Sequence, residues 1–75
     1  MAIRQIPIPP SSNLAGVSYD DETRDLYIAF VRGNANYVYR SVPAKVADGF
    51  SNSGLAAGAY FRANILNQYE YERQG

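Results

Sequence analysis

The run Leu26-Tyr27-Ile28-Ala29-Phe30-Val31, then Arg32-Gly33-Asn34-Ala35-Asn36, then Tyr37-Val38-Tyr39-Arg40-Ser41-Val42 decides the fold. Two β-prone stretches flank a segment of Gly and Asn, residues that tolerate positive φ, so the reading is strand, turn, antiparallel strand. Alternation puts Leu26, Ile28 and Phe30 on a wholly apolar face and Tyr27, Ala29 and Val31 on a half-apolar one. A strand apolar on both sides is normally covered on both sides. In so short a chain the second cover falls to another subunit.

Upstream, Ala15-Gly16-Val17-Ser18-Tyr19 reads as a third strand, with Ala15, Val17 and Tyr19 on one face. Residues 20–24 form the turn joining it to Leu26. Residues 1–10 are an extended, proline-rich N-terminal arm: Pro7, Pro9 and Pro10 remove amide donors, and Ile3, Ile6 and Ile8 are apolar enough to dock on this chain or a neighbour. Downstream, Pro43 suits a first helical turn, and Val46 and Phe50 at i, i+4 mark the inner face of a short helix. Asn52-Ser53-Gly54 breaks it. A second helix is expected over Leu55–Leu66, with Ser53 as its N-cap and Leu55, Phe61 and Ile65 facing inward. Tyr69–Arg73 alternates and supplies a last short strand. The expected architecture is α+β: a three- to four-stranded antiparallel β-meander with two short helices packed on one face. Its core comprises Leu26, Ile28, Phe30, Val46, Phe50, Phe61 and Ile65.

Composition limits the chemistry. The chain has 75 residues, no Cys and no His, which excludes disulfides and leaves no ordinary zinc or haem ligands. A domain of this size hides only about 60% of its unfolded surface and usually needs a staple or self-association, so a homo-oligomer is expected. No apolar run approaches the roughly 20 residues of a membrane span, and the expected location is the cytoplasm. Ser11 and Ser12 have no histidine to activate them, and Lys45 is the sole lysine. No catalytic residues, cofactor or metal site are therefore expected, and the chain does not read as an enzyme. The carboxylates at 20, 21, 22 and 25 do not have EF-hand spacing and read as a solvated turn.

Net charge is zero but unevenly spread. Four acids and one arginine fall in residues 20–25, whereas residues 26–69 hold Arg32, Arg40, Lys45 and Arg62 against Asp48 alone. That density is too low to grip a long duplex and enough to clamp one or two phosphates. The aromatic load is high, seven Tyr and three Phe. Tyr37 and Tyr39, at i, i+2, either line a half-buried sheet face or form a platform on which bases stack. Arg40 points to the opposite face. Arg32 at the turn and Arg62 beside Tyr60 on the second helix are the better phosphate contacts, the alternative being solvated surface or pairing with the acidic turn. The amides at Ser53-Gly54-Leu55 offer a further anion contact.

Taken in order, Ser12-Asn13-Leu14, Val17-Ser18-Tyr19-Asp20, Leu26–Phe30, Tyr37-Val38-Tyr39, Val42-Pro43 with Val46, Gly58-Ala59-Tyr60-Phe61 with Ile65, and Tyr69-Glu70-Tyr71 resemble the KTSC domain. This small module is named for the C-terminus of certain lysyl-tRNA synthetases and also stands alone in bacteria and their phages. The resemblance covers about residues 11–73, so residues 11–75 are read as a single KTSC-like domain behind the arm. It places the family's tyrosine–any–tyrosine motif at Tyr37 and Tyr39 and implies RNA as a partner. The resulting expectation is a non-catalytic binding module for RNA or a small nucleotide. Tyr37 and Tyr39 stack, Arg32, Arg62 and Lys45 contact phosphate, and Tyr60 lies beside them. The alternative is a phage-type interaction module whose arm binds and inhibits a host protein in the host cytoplasm.

Overall fold

The computed structural model describes residues 3–9 and 11–74; expectations for Met1, Ala2 and Pro10 of the arm lie outside the described residues. Five strands form one antiparallel sheet in sequence order: β1 (Ile3–Ile6), β2 (Leu14–Asp20), β3 (Asp25–Phe30), β4 (Asn36–Tyr39) and β5 (Tyr71–Arg73). Two helices, α1 (Ala44–Asn52) and α2 (Ala57–Asn64), lie between β4 and β5 in the chain. The protein is thus the expected α+β meander, with five strands where three to four were expected.

The extra strand is the arm. Ile3 to Ile6 pair with Asp20 to Val17 of the same chain, and Ile6 on β1 is buried. Pro7 ends the strand, Ile8 packs half-buried against the core, and Ser51 on α1 donates its hydroxyl to the Pro7 carbonyl. Arg4 fastens β1 sideways. Its guanidinium lies 2.7 Å from Asp21, 2.8 Å from Asp48 on α1, and 5.5 Å from the centre of the Tyr19 ring. Those two hydrogen bonds raise the Arg4 pKa, and the bond from Arg4 holds the Asp21 carboxyl below its ordinary value. Three of the four carboxylates in residues 20–25 are thus engaged within the chain. Asp25 pairs with Arg40 at 3.0 Å, and Asp20 accepts the amides of Glu22 and Thr23 at 2.9 and 3.3 Å.

The pleat assigns the faces. Ile6, Val17, Tyr19, Leu26, Ile28 and Tyr39 point to the helices and are buried with Phe50 and Ile65. Phe30 and Val46, expected in the core, are half-buried at its margin. In β2 the register shifts between Leu14 and Gly16, so Leu14 takes the inward place expected of Ala15, which is exposed. Such a bulge inserts one residue and swaps the face of those beyond it. Arg40 lies on the opposite face, as alternation requires, bridging Asp25 and Glu72.

The second helix begins later than expected. Gly54 adopts φ +77° and the Ser53 hydroxyl accepts the Leu55 amide at 3.2 Å, which holds residues 53–55 in a turn. Ser53 caps the C-terminus of α1 instead, its amide donating to the Gly49 carbonyl at 3.0 Å, and Leu55 is exposed rather than in the core. Pro43 is the N-cap of α1, just outside its first turn. The helices touch where Gly49 faces Tyr60. The Tyr60 hydroxyl donates to the Val46 carbonyl at 2.6 Å, and the ring lies 4.7 Å from Phe50.

Candidate functional site

Between α2 and the β3–β5 end of the sheet runs an open groove of about 800 Å³. Three strands and one helix build its aromatic floor. Antiparallel pairing of β3 with β4 sets Ile28 opposite Tyr37 and Leu26 opposite Tyr39, and pairing of β4 with β5 sets Tyr39 opposite Tyr71. Phe30 from β3 and Phe61 from α2 complete the set. The rings contact one another edge to face or tilted: Phe30–Tyr37 5.5 Å, Phe30–Phe61 5.5 Å, Tyr39–Phe61 5.7 Å, Tyr37–Tyr71 5.7 Å and Tyr39–Tyr71 5.4 Å. These are the separations and tilts that ring quadrupoles favour.

The rings differ in access. Tyr39 is only 3% exposed, covered by Tyr71 and Phe61, while Tyr37 is half-buried and Tyr71 is 55% exposed. A planar ligand therefore meets Tyr37 and Tyr71, with Tyr39 as support behind them. Burial, followed by the neighbouring Tyr71 and Tyr37 hydroxyls, pushes the Tyr39 phenol up to about 12. Burial also raises Tyr19 and Tyr60. A phenol whose folded pKa exceeds its unfolded value near 10 contributes stability that is whole below pH ~10 and lost as pH rises through the folded value. Alkaline unfolding is thus expected between about pH 10 and 12. Tyrosinate absorbance recorded with circular dichroism checks it, and Tyr39→Phe should remove the latest-ionising phenol. Ionisation of Tyr39 near pH 10 would count against this packing.

Two of the expected cations, Arg32 and Arg62, line the groove and are exposed. Arg32 sits in a one-turn 3-10 helix (Arg32–Asn34) after β3, and Arg62 on the turn of α2 that also carries Phe61. Among the described residues the salt bridges belong to Arg4 and Arg40, so Arg32 and Arg62 hold no carboxylate. Ser12, Asn13 and Gly58 form one wall and Leu66 an apolar lip. The arrangement can hold a flat ring against Tyr37 and Tyr71 and an anionic group at the arginines.

The structure thus brings together Tyr37, Tyr39, Arg32 and Arg62 and leaves out Tyr60 and Lys45. Tyr60 is buried between the helices with its hydroxyl spent on Val46, because positions 57, 60, 61 and 65 share the inner face of α2. Lys45 is exposed on α1 and does not line the groove. The amides of residues 53–55 do not open α2, which begins at Ala57. Tyr71, Phe30 and Asn13 are groove residues that sequence reasoning did not assign. The Tyr69-Glu70-Tyr71 alternation was the available signal for Tyr71. No described helix is long and apolar enough to cross a membrane.

Comparison with known proteins agrees with this fold. The crystal structure of a KTSC domain protein from Yersinia pestis superposes with a TM-score of 0.84 at 26% sequence identity, covering 99% of this chain and 100% of that one. No curated protein matches the sequence. The KTSC domain model matches residues 10–69, and the chain belongs to the KTSC domain family.

Proposed function

We propose that the groove binds a nucleotide-containing ligand, a small nucleotide or a short single strand of RNA, without catalysis. One observation carries this reading. Accessible tyrosine rings and two arginines that form no salt bridge among the described residues line the same groove. Base–aromatic stacking combined with cationic contact to phosphate is the general mode of single-strand binding. A groove of about 800 Å³ lies within the range of small-ligand sites. Zero net charge also favours a short ligand, since a long polyanion calls for a broad basic surface.

The interaction-module alternative drew its support from an exposed apolar arm. Ile6 is buried and Ile8 half-buried in the chain's own fold, which leaves Ile3 as the exposed isoleucine of that segment. The groove is the better-supported site. Calorimetric titration at low salt with nucleoside mono-, di- and cyclic phosphates and with short single-stranded RNA tests the proposal. Saturable binding that weakens with added salt is the expected result. Absence of heat with every ligand would remove it.

A further inference from the structure

The face of β5 that carries Tyr71 also carries Arg73. The two stand at i, i+2 on one strand and so point the same way, and the direction is fixed by the Tyr71 ring, 5.4 Å from Tyr39 and 5.7 Å from Tyr37. Antiparallel pairing sets Arg73 directly opposite Tyr37. Residues opposite each other on one sheet face have Cβ atoms about 5 Å apart, so Arg73 flanks the Tyr37 ring. Arg73 is exposed, and among the described residues the salt bridges belong to Arg4 and Arg40. Glu72 points to the other face, where Arg40 holds it at 3.3 Å. The backbone around β5 is fixed at both ends: the Arg40 amide donates to the Glu70 carbonyl at 2.8 Å and the Gln74 amide to the Asn36 carbonyl at 2.6 Å.

Cations therefore stand on two sides of Tyr37. Arg32 follows β3 and Arg62 is on α2, whereas Arg73 lies on β5, across β4 from β3. From β3 to β5 is two strand spacings, about 10 Å. We infer that Arg73 is a third phosphate contact and, resting on the nucleotide reading above, that the groove takes a nucleotide within a single strand rather than a free mononucleotide. A nucleoside 5′-diphosphate or 5′-triphosphate carries all its phosphate on one side of the base. A nucleotide inside a strand carries phosphate on its 5′ side and again on its 3′ side, which matches arginines on both sides of one ring. The strand runs from Arg32 and Arg62 across Tyr37 to Arg73, and the next base lies against Tyr71. β5 is the edge of the sheet, so no further strand among the described residues stands in the way of the chain as it leaves.

Adenosine 5′-diphosphate and adenosine 3′,5′-bisphosphate separate the two cases, because they share base, sugar and number of phosphates and differ in where the phosphates stand. Calorimetric titration at low salt should show the bisphosphate binding roughly three- to fivefold more tightly, the gain from one exposed ion pair. Arg73→Ala should erase that difference and leave the diphosphate within about twofold. A hexauridylate strand should bind more tightly than either, and Arg73→Ala should flatten its slope of log affinity against log salt by about 0.7. Arg73→Lys, which keeps the charge, should retain both the bisphosphate preference and the slope. The side chain is exposed and β5 is held through its backbone, so the thermal unfolding midpoint of both variants should match that of the wild type. Equal or tighter binding of the diphosphate by the wild type, or a bisphosphate preference that survives Arg73→Ala, would overturn the assignment and leave the groove reading standing. Absence of heat with all three ligands would overturn both.

Discussion

Gly49→Ala should lower the thermal unfolding midpoint by roughly 10 °C, although it replaces glycine by alanine inside a helix. Helix propensity alone predicts the opposite, a gain of about 1 kcal/mol. The interface between α1 and α2 decides otherwise. A Cβ on Gly49 would lie 1.9 Å from the Tyr60 hydroxyl oxygen, 2.4 Å from Cζ and 2.8 Å from Cε1. The ring carbons are involved as well as the hydroxyl, so a rotation of the O–H bond gives no relief. Tyr60 has to withdraw, which breaks its 2.6 Å hydrogen bond to Val46 and its packing on Phe50. Overpacking costs about 1–3 kcal/mol and a broken buried hydrogen bond about 1 kcal/mol, and together they outweigh the propensity gain. In a domain this small each kcal/mol moves the midpoint by about 4–8 °C. Combining Gly49→Ala with Tyr60→Phe should recover part of the loss, because the nearest atom is gone while the ring remains. A midpoint that rises in the single variant would mean that the helices do not approach here.

The same interface shows why the sequence misplaces Tyr60. Beside Arg62 it reads as a polar aromatic on a ligand face, but 57, 60, 61 and 65 follow helical spacing and point together into the core. The meander was legible because β3 alternates over its whole length and its turn carries Gly33, which adopts φ +72°. Strand β1 was legible only as extended chain. Four residues ahead of Pro7 carry no period, and what fixes them is the pairing with β2 and the Arg4 contacts to Asp21 and Asp48. The bulge at Ala15 is likewise invisible locally, since both Leu14 and Ala15 are acceptable inward residues. In the site, Tyr37 and the two arginines could be nominated from residue type and spacing. Tyr71 could not be placed beside them, because the pairing of Tyr39 with Tyr71 spans both helices. That one long-range pairing adds the most exposed ring to the floor and moves Tyr39 from the ligand surface to the support beneath it.

Stacking and charge should then separate by mutation. Tyr37→Leu keeps an apolar side chain over Phe30 and removes the aromatic face, so affinity for a nucleotide or short strand should fall by about 1–3 kcal/mol per stacked base. The salt dependence should stay unchanged, since no cation has been removed. Tyr71→Leu should act in the same direction, because Tyr71 is the most exposed ring of the floor. Arg32→Ala combined with Arg62→Ala should also weaken binding, but through a different signature. For a single strand the slope of log affinity against log salt should flatten by about 0.7 for each phosphate that is no longer neutralised. Neither arginine is engaged in a salt bridge among the described residues, so stability should change little. Ile3→Arg, on the exposed side of β1, and Tyr60→Phe, whose hydroxyl is committed to Val46, should leave affinity as it was. If Ile3→Arg alone abolished a nuclease-resistant association with another protein while the groove variants had no effect on any ligand, the groove would not be the working surface. Weaker stacking at Tyr37 with an intact salt slope, and a flatter slope at the arginines with intact stability, is the pair of results that the geometry requires.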